Sequence, residues 1–257
     1  GGIGGGGSGG WGKSEVPAGA SVQAIGEGSV LTLTGITWVQ AAGTGGASDG
    51  VDEFGGQGSG GSAELFAGSG STVNVANAFV YAQGTGGTAV TSGGNGLGGQ
   101  AELVTWAGSD VTLGNAEVNS DGFGGHASEG TGGVGEAWFA QLHIGGEFNP
   151  TGEVFISADG EGGDGPSGGG TGLGGNASIE INGSGPVSFG TETTVRAAGT
   201  GGFSADSSGG DGYGGRADFI MSGSGEATVN SLSVIADGLG GGGLEGGNAY
   251  GGVFLGQ

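Results

Sequence analysis

The chain has 257 residues, of which 77 are Gly, four are Pro and none is Cys; 25 acidic residues against three basic ones give a net charge of −22. Collagen needs Gly at every third position with abundant Pro, and a disordered chain would not gather its 33% apolar residues into short runs; both readings are excluded. Nucleic acid and anionic membranes require clustered Lys or Arg, which Lys13, Arg196 and Arg216 cannot form.

Residues 1–27 read as an irregular glycine-rich segment. Gly9-Gly10-Trp11-Gly12 resembles a glycine tract, but Glu15-Val16-Pro17-Ala18 interrupts it. Gly7 to Ser14 formally satisfies the phosphate-binding-loop pattern. That chemistry needs a strand before the loop and a helix after it, whereas a glycine run precedes and Pro17 follows. The match is therefore compositional.

From residue 28 to 257 the chain repeats. Gly-x-Gly-Gly recurs at Gly43, Gly84, Gly122, Gly160, Gly199 and Gly238, at intervals of 41, 38, 38, 39 and 39 residues. A fixed period of this length predicts a stacked architecture. Four residues before each marker stands Val39, Val80, Val118, Ile156, Val195 or Val234; two before it stands Ala41, Ala82, Ser120, Ala158, Ala197 or Ala236. A β-branched column beside a small one is expected on the inward face of stacked parallel strands. The residue between them varies (Gln40, Tyr81, Asn119, Ser157, Arg196, Ile235), as an outward position would.

Each marker tract is followed by a second glycine run such as Gly93 to Gly99, and then by a short strand after Gly-x-Ala, as in Ala63-Glu64-Leu65-Phe66 and Ala101-Glu102-Leu103-Val104. Glycine at this density permits positive φ and close backbone approach. The tracts are expected either as extended, polyglycine-II-like layers or as loops, with their recurrence favouring order. The whole predicts an all-β, right-handed parallel β-solenoid of about six repeats, with one or two coils per repeat left open. No apolar run approaches the roughly 20 residues of a membrane helix, so direct membrane insertion is not expected. The ends carry no polar cap, which predicts either more chain or head-to-tail association.

Two acidic columns stand out: Asp121, Asp159 and Asp237 at one repeat position, Glu64, Glu102 and Asp218 at another. Like charges in register repel unless hydrated or bridged, so these are the candidate sites for Ca²⁺, against the plainer reading of solvated carboxylates. The calcium-binding nonapeptide motif itself is absent, because Gly stands where it places Asp. Trp38, Phe79 and Phe155 share a column outside the Val column and, with Val253-Phe254-Leu255 near the end, are candidates for self-association. His126 and His143 read as ordinary loop and strand residues, and Gly-x-Ser-x-Gly around Ser8 and Ser167 lies in glycine tracts rather than at a nucleophile elbow. No enzyme is expected: three scattered basic residues cannot serve an acidic polysaccharide, and no carboxylate pair is distinctive in spacing.

The pattern Gly-Ser-x-Val-Thr-Val…Val-x-Ala-x-Gly-x-Gly-Gly…Gly-x-Gly-x-Gly-Gly-x-Ala resembles the glycine-rich β-strand-repeat surface proteins of Gram-negative bacteria, the large autotransporter and filamentous-haemagglutinin-like exoproteins. The resemblance covers residues 28–257 and implies a secreted or surface-displayed solenoid with an adhesive or structural role, with surface polysaccharide as a potential partner. It supplies no catalytic residues. The expected function is a self-associating subunit or segment of an extracellular fibre, sheath or adhesin; a carbohydrate- or ice-binding module is the alternative, although the Thr positions (Thr44, Thr85, Thr200) are too broken for an ice-matching ladder.

Overall fold

The computed structural model describes residues 5–6, 19–49 and 54–256, and among them there is no helix. Among the described residues all strand pairs are parallel and fall into four sheets, so the chain is a β-solenoid of about six coils. Ser62–Ala67 pairs with Gln100–Thr105, which pairs with Phe139–Ile144, each in the next repeat. One repeat is therefore one large coil. Regular stacking starts earlier than residue 28, because Gly19–Ala24 already pairs in register with Ser62–Ala67. The phosphate-loop-like stretch at residues 7–14 lies outside the described residues.

Each coil has two lobes. In the aliphatic lobe, the strand after Gly-x-Ala (Gln100–Thr105, for example) faces the long strand that follows it (Asp110–Asn119). Alternation puts Ala101, Leu103 and Thr105 of the one and Val111, Leu113, Ala116 and Val118 of the other inside, all at 1% exposure or less. The β-branched column from Val39 to Val195 is buried, as its period-two spacing requires, and so is the small column from Ala41 to Ala197. Each fully buried Val, Leu or Ile stabilises by about 1.5–3 kcal/mol. Pro150 cannot donate to the ladder. The long strand accordingly splits in the fourth coil into Glu147–Pro150 and Val154–Ser157, and it remains split in the fifth and sixth.

In the glycine lobe, the marker strands (Gly84–Thr85, Gly122–Phe123) lie against the second glycine run (Gly96–Leu97, Gly135–Glu136). The tracts are ordered, and no side chain separates them. Backbone hydrogen bonds zigzag between the two layers: Gly94 N–H to Gly87 O, Gly125 to Gly94 and Gly133 to Gly125, each at 2.8 Å, then Gly163 to Gly133 at 2.9 Å, and onward to Gly247. Bonds along the stack, such as Gly86 N–H to Phe123 O at 2.8 Å, complete a network that runs in two directions. The glycines serve close approach rather than left-handed φ. A Cβ on Gly125 would overlap the Gly87 carbonyl, whereas among the described residues left-handed φ occurs at Gly26, Gly28, Gly70 and Gly108, in the turns of the other lobe.

Candidate functional site

The two acidic columns prove discontinuous. Ala198 stands between Asp159 and Asp237, while Gln141 and Ser178 separate Glu102 from Asp218. Where the lobes join, the carboxylates bind groups of the protein itself. Asp121 Oδ1 accepts from Asp159 N–H and from the Ser157 hydroxyl, both at 2.7 Å, and Asp121 Oδ2 accepts from Asn119 Nδ2 at 2.7 Å. Asp159 repeats the arrangement one coil on, accepting Ala198 N–H at 2.6 Å and pairing with Arg196 Nε at 3.2 Å. Each carboxylate thus caps an amide in the next coil.

Asn119, Asp121 and Ser157 are buried here, so Asn119 and Ser157 do not point freely into solvent as their column predicts. Burial pushes the Asp121 carboxyl up to about 6, against the pull of the Asp159 N–H, and the charge of Asp159 adds to the rise. Burial also raises Asp159, opposed by Ala198 N–H and Arg196. Asp237 is exposed. In the other column, Glu64 accepts from Gln23 Nε2 at 3.1 Å and Asp218 pairs with Arg216 at 2.5 Å. Among the described residues, no group of three or more His, Asp or Glu is placed to hold a metal ion.

The aromatic column is divided as well. Trp38 stacks on Phe79 with centroids 4.7 Å apart, and both meet Tyr81 edge-on, a residue the column argument did not select. Glu117 then interrupts, so Phe155 lies one coil beyond, outside the cluster. The rings stack along the solenoid axis at about the strand spacing, and they consume one another's faces. Trp38, in the first coil, remains 56% exposed. At the other end Tyr250 stacks on Tyr213 at 4.5 Å and is itself exposed.

Burial falls off in the first and last described coils. Inward residues that are sealed in the middle coils are only partly buried in the first (Ala20, Val22, Leu31, Leu33) and in the last (Met221, Val229, Val234, Ala236). Most exposed large apolar residues belong to these two coils: Ile25, Val30, Ile36, Trp38 and Phe54 at one end, Leu232, Leu239, Leu244, Tyr250 and Val253 at the other. Single strands partly cover the edges: Gly5–Gly6 pairs with Gly43–Thr44, and Val253–Gly256 pairs with Arg216–Met221. The side chains of Phe254 and Leu255 lie outside the described residues. His143 sits in a strand and His126 in a loop, as expected.

The described residues form a two-lobed parallel β-solenoid whose inward residues are less buried in the first and last coils than in the middle. Compared with known proteins, the chain matches no family model, and no curated protein or solved structure matches it.

Proposed function

We propose that the chain is a non-catalytic structural solenoid, a segment or subunit of an extracellular fibre, sheath or adhesin, to whose ends further coils of the same kind add. The observation that carries this reading is that inward residues are only partly buried in the first and last described coils while those of the middle coils are sealed. A parallel stack presents at one end the hydrogen-bonding edge that its other end lacks, so head-to-tail addition is complementary by construction. The extracellular placement rests on the surface-protein resemblance alone.

Addition proceeds through the aliphatic lobe. In the glycine lobe, Gly58, Gly96, Gly135, Gly172 and Gly212 form one column that ends at Ala249. A Cβ on Gly212 would overlap the Leu239 carbonyl of the following coil. Ala249 carries such a Cβ toward whatever follows it.

Negative-stain electron microscopy over a concentration series tests the proposal, first with calcium and then with chelator. Rods that lengthen with concentration support it, and loss of length in chelator would assign a bridging role to the acidic columns. Compact particles of one length throughout would refute end addition.

A further inference from the structure

At its far edge the glycine lobe turns through loops that stack into a shallow groove. One cavity of about 370 Å³ is bordered by Asp49, Thr88, Val90, His126 and Ser128. A second, of about 210 Å³, continues from Ser128 past Asp164 and Pro166 to Phe203. The groove crosses five coils, roughly 19 Å at about 4.8 Å per coil.

Its polar groups are held in place. Asp164 N–H donates to His126 Nδ1 at 3.1 Å, which leaves the proton of the neutral imidazole on Nε2 of an exposed ring. Phe203 N–H donates to Asp164 Oδ1 at 2.7 Å and fixes that carboxylate. The loop beneath is braced by the Ser204 hydroxyl on Pro166 O at 2.9 Å and the Ser167 hydroxyl on Glu129 O at 2.8 Å. The Phe203 ring is 54% exposed and stacks on no other ring among the described residues. Nothing in the aliphatic core requires an aromatic side chain there.

We propose that this groove binds a neutral oligosaccharide, with one pyranose ring laid on Phe203 and its hydroxyls bonded to Asp164 and to His126 Nε2–H. The chemistry selects that ligand. Among the described residues no Lys or Arg borders either cavity, so a uronate or other anionic glycan meets repulsion from Asp164 and Asp49. A metal ion would need several oxygen ligands converging, whereas the groups bordering the cavity beside Asp164 include Phe203, Pro166, Ala127 and Ala205. A pyranose offers an apolar C–H face and a polar rim, which this pairing of aromatic ring and fixed hydrogen-bonding groups matches.

The test is calorimetric titration of the full chain with neutral hexasaccharides of gluco, manno and galacto configuration, alongside a chitosan hexamer and a uronate hexamer. At least one neutral sugar is expected to bind in the millimolar range or tighter. Phe203→Ala should weaken it at least tenfold and Asp164→Asn several-fold, with circular dichroism and melting temperature unchanged; Trp38→Ala should leave it unaffected. Absence of binding by every neutral sugar, indifference to Phe203→Ala, or tighter binding of either charged hexamer would overturn the proposal. Filament formation without sugar binding would overturn this inference alone and leave the structural reading standing.

Discussion

The two lobes of each coil solve the same packing problem by opposite means. The aliphatic lobe keeps its sheets apart with side chains and gains stability by removing Val, Leu and Ile from water. The glycine lobe has no side chains to bury between its layers and is held by direct backbone hydrogen bonds of about 2.8 Å. Facing sheets normally lie about 10 Å apart, so the glycine layers are much closer than sheets that pack through side chains. The difference teaches that glycine is here a packing element. Substitution should therefore hurt most where the sequence looks least informative.

Gly125→Ala is the sharpest way to break that comparison. The new methyl group would overlap the Gly87 carbonyl, and no flexible side chain is there to move aside. Chemical denaturation should show a loss of at least ~4 kcal/mol, in the range reserved for severe steric mechanisms, or no folded protein at all. Gly35→Ala, where a Cβ meets nothing within 4 Å, is the control and should change stability little.

Leu142→Ala probes the other lobe. Leu142 is fully buried between its neighbours Leu103 and Ile179 in the ladder. The expected cost is about 2–5 kcal/mol by the same measurement, a graded loss because aliphatic neighbours can relax into the space.

The junction between the lobes gives a smaller effect with a definite sign. Asp121 titrates near 6 when folded, above the ordinary carboxylate value of about 3.9. The folded state therefore binds the proton more tightly than the unfolded state. Stability should rise as pH falls through 6 and level off near the unfolded pKa, by roughly 1 kcal/mol between pH 7 and pH 5. Asp159, also raised, acts in the same direction. Denaturation midpoints of Asp121→Asn should lose most of that slope, and an unchanged slope would contradict the assignment.

The smallest effect concerns the ends. Ala249→Gly removes the methyl group that faces beyond the last coil and should modestly lengthen the assemblies seen by electron microscopy, with little change in melting temperature.

Much of the fold was legible because its columns are one-dimensional. The spacing of Val80, Val118 and Ile156 from their marker glycines carries strand, register and inward face together. Periodicity could not decide one coil or two per repeat, since either would keep the same columns; the pairing of Ser62 with Gln100 decides it. The role of the glycines was half legible: order could be expected from recurrence, but close approach and positive φ call for the same residue.

The candidate sites were less legible, because a column shows which residues share a position and not what their side chains reach. Asp121 and Asp159 looked like stacked charges, yet each caps an amide of the next coil, a contact across the stack that the composition of their own column does not reveal. Trp38 and Phe79 do meet, whereas Phe155 is cut off by Glu117, a break visible in the sequence once register is fixed. The tip groove brings together His126, Asp164 and Phe203 from three coils at one repeat position, and a signal for it existed in the alignment of those three residues four places after their markers.

Sedimentation velocity over a concentration series, on the wild-type chain and on Leu232→Lys, tests end addition most directly. Leu232 lies in the unsealed last coil and is already 45% exposed, and a lysine on an open edge discourages further strand pairing. The wild type is expected to shift to faster-sedimenting species as concentration rises, while Leu232→Lys stays at the monomer value with an unchanged circular dichroism spectrum. A wild-type chain that remains monomeric at every concentration, or a variant that assembles as the wild type does, would contradict the account.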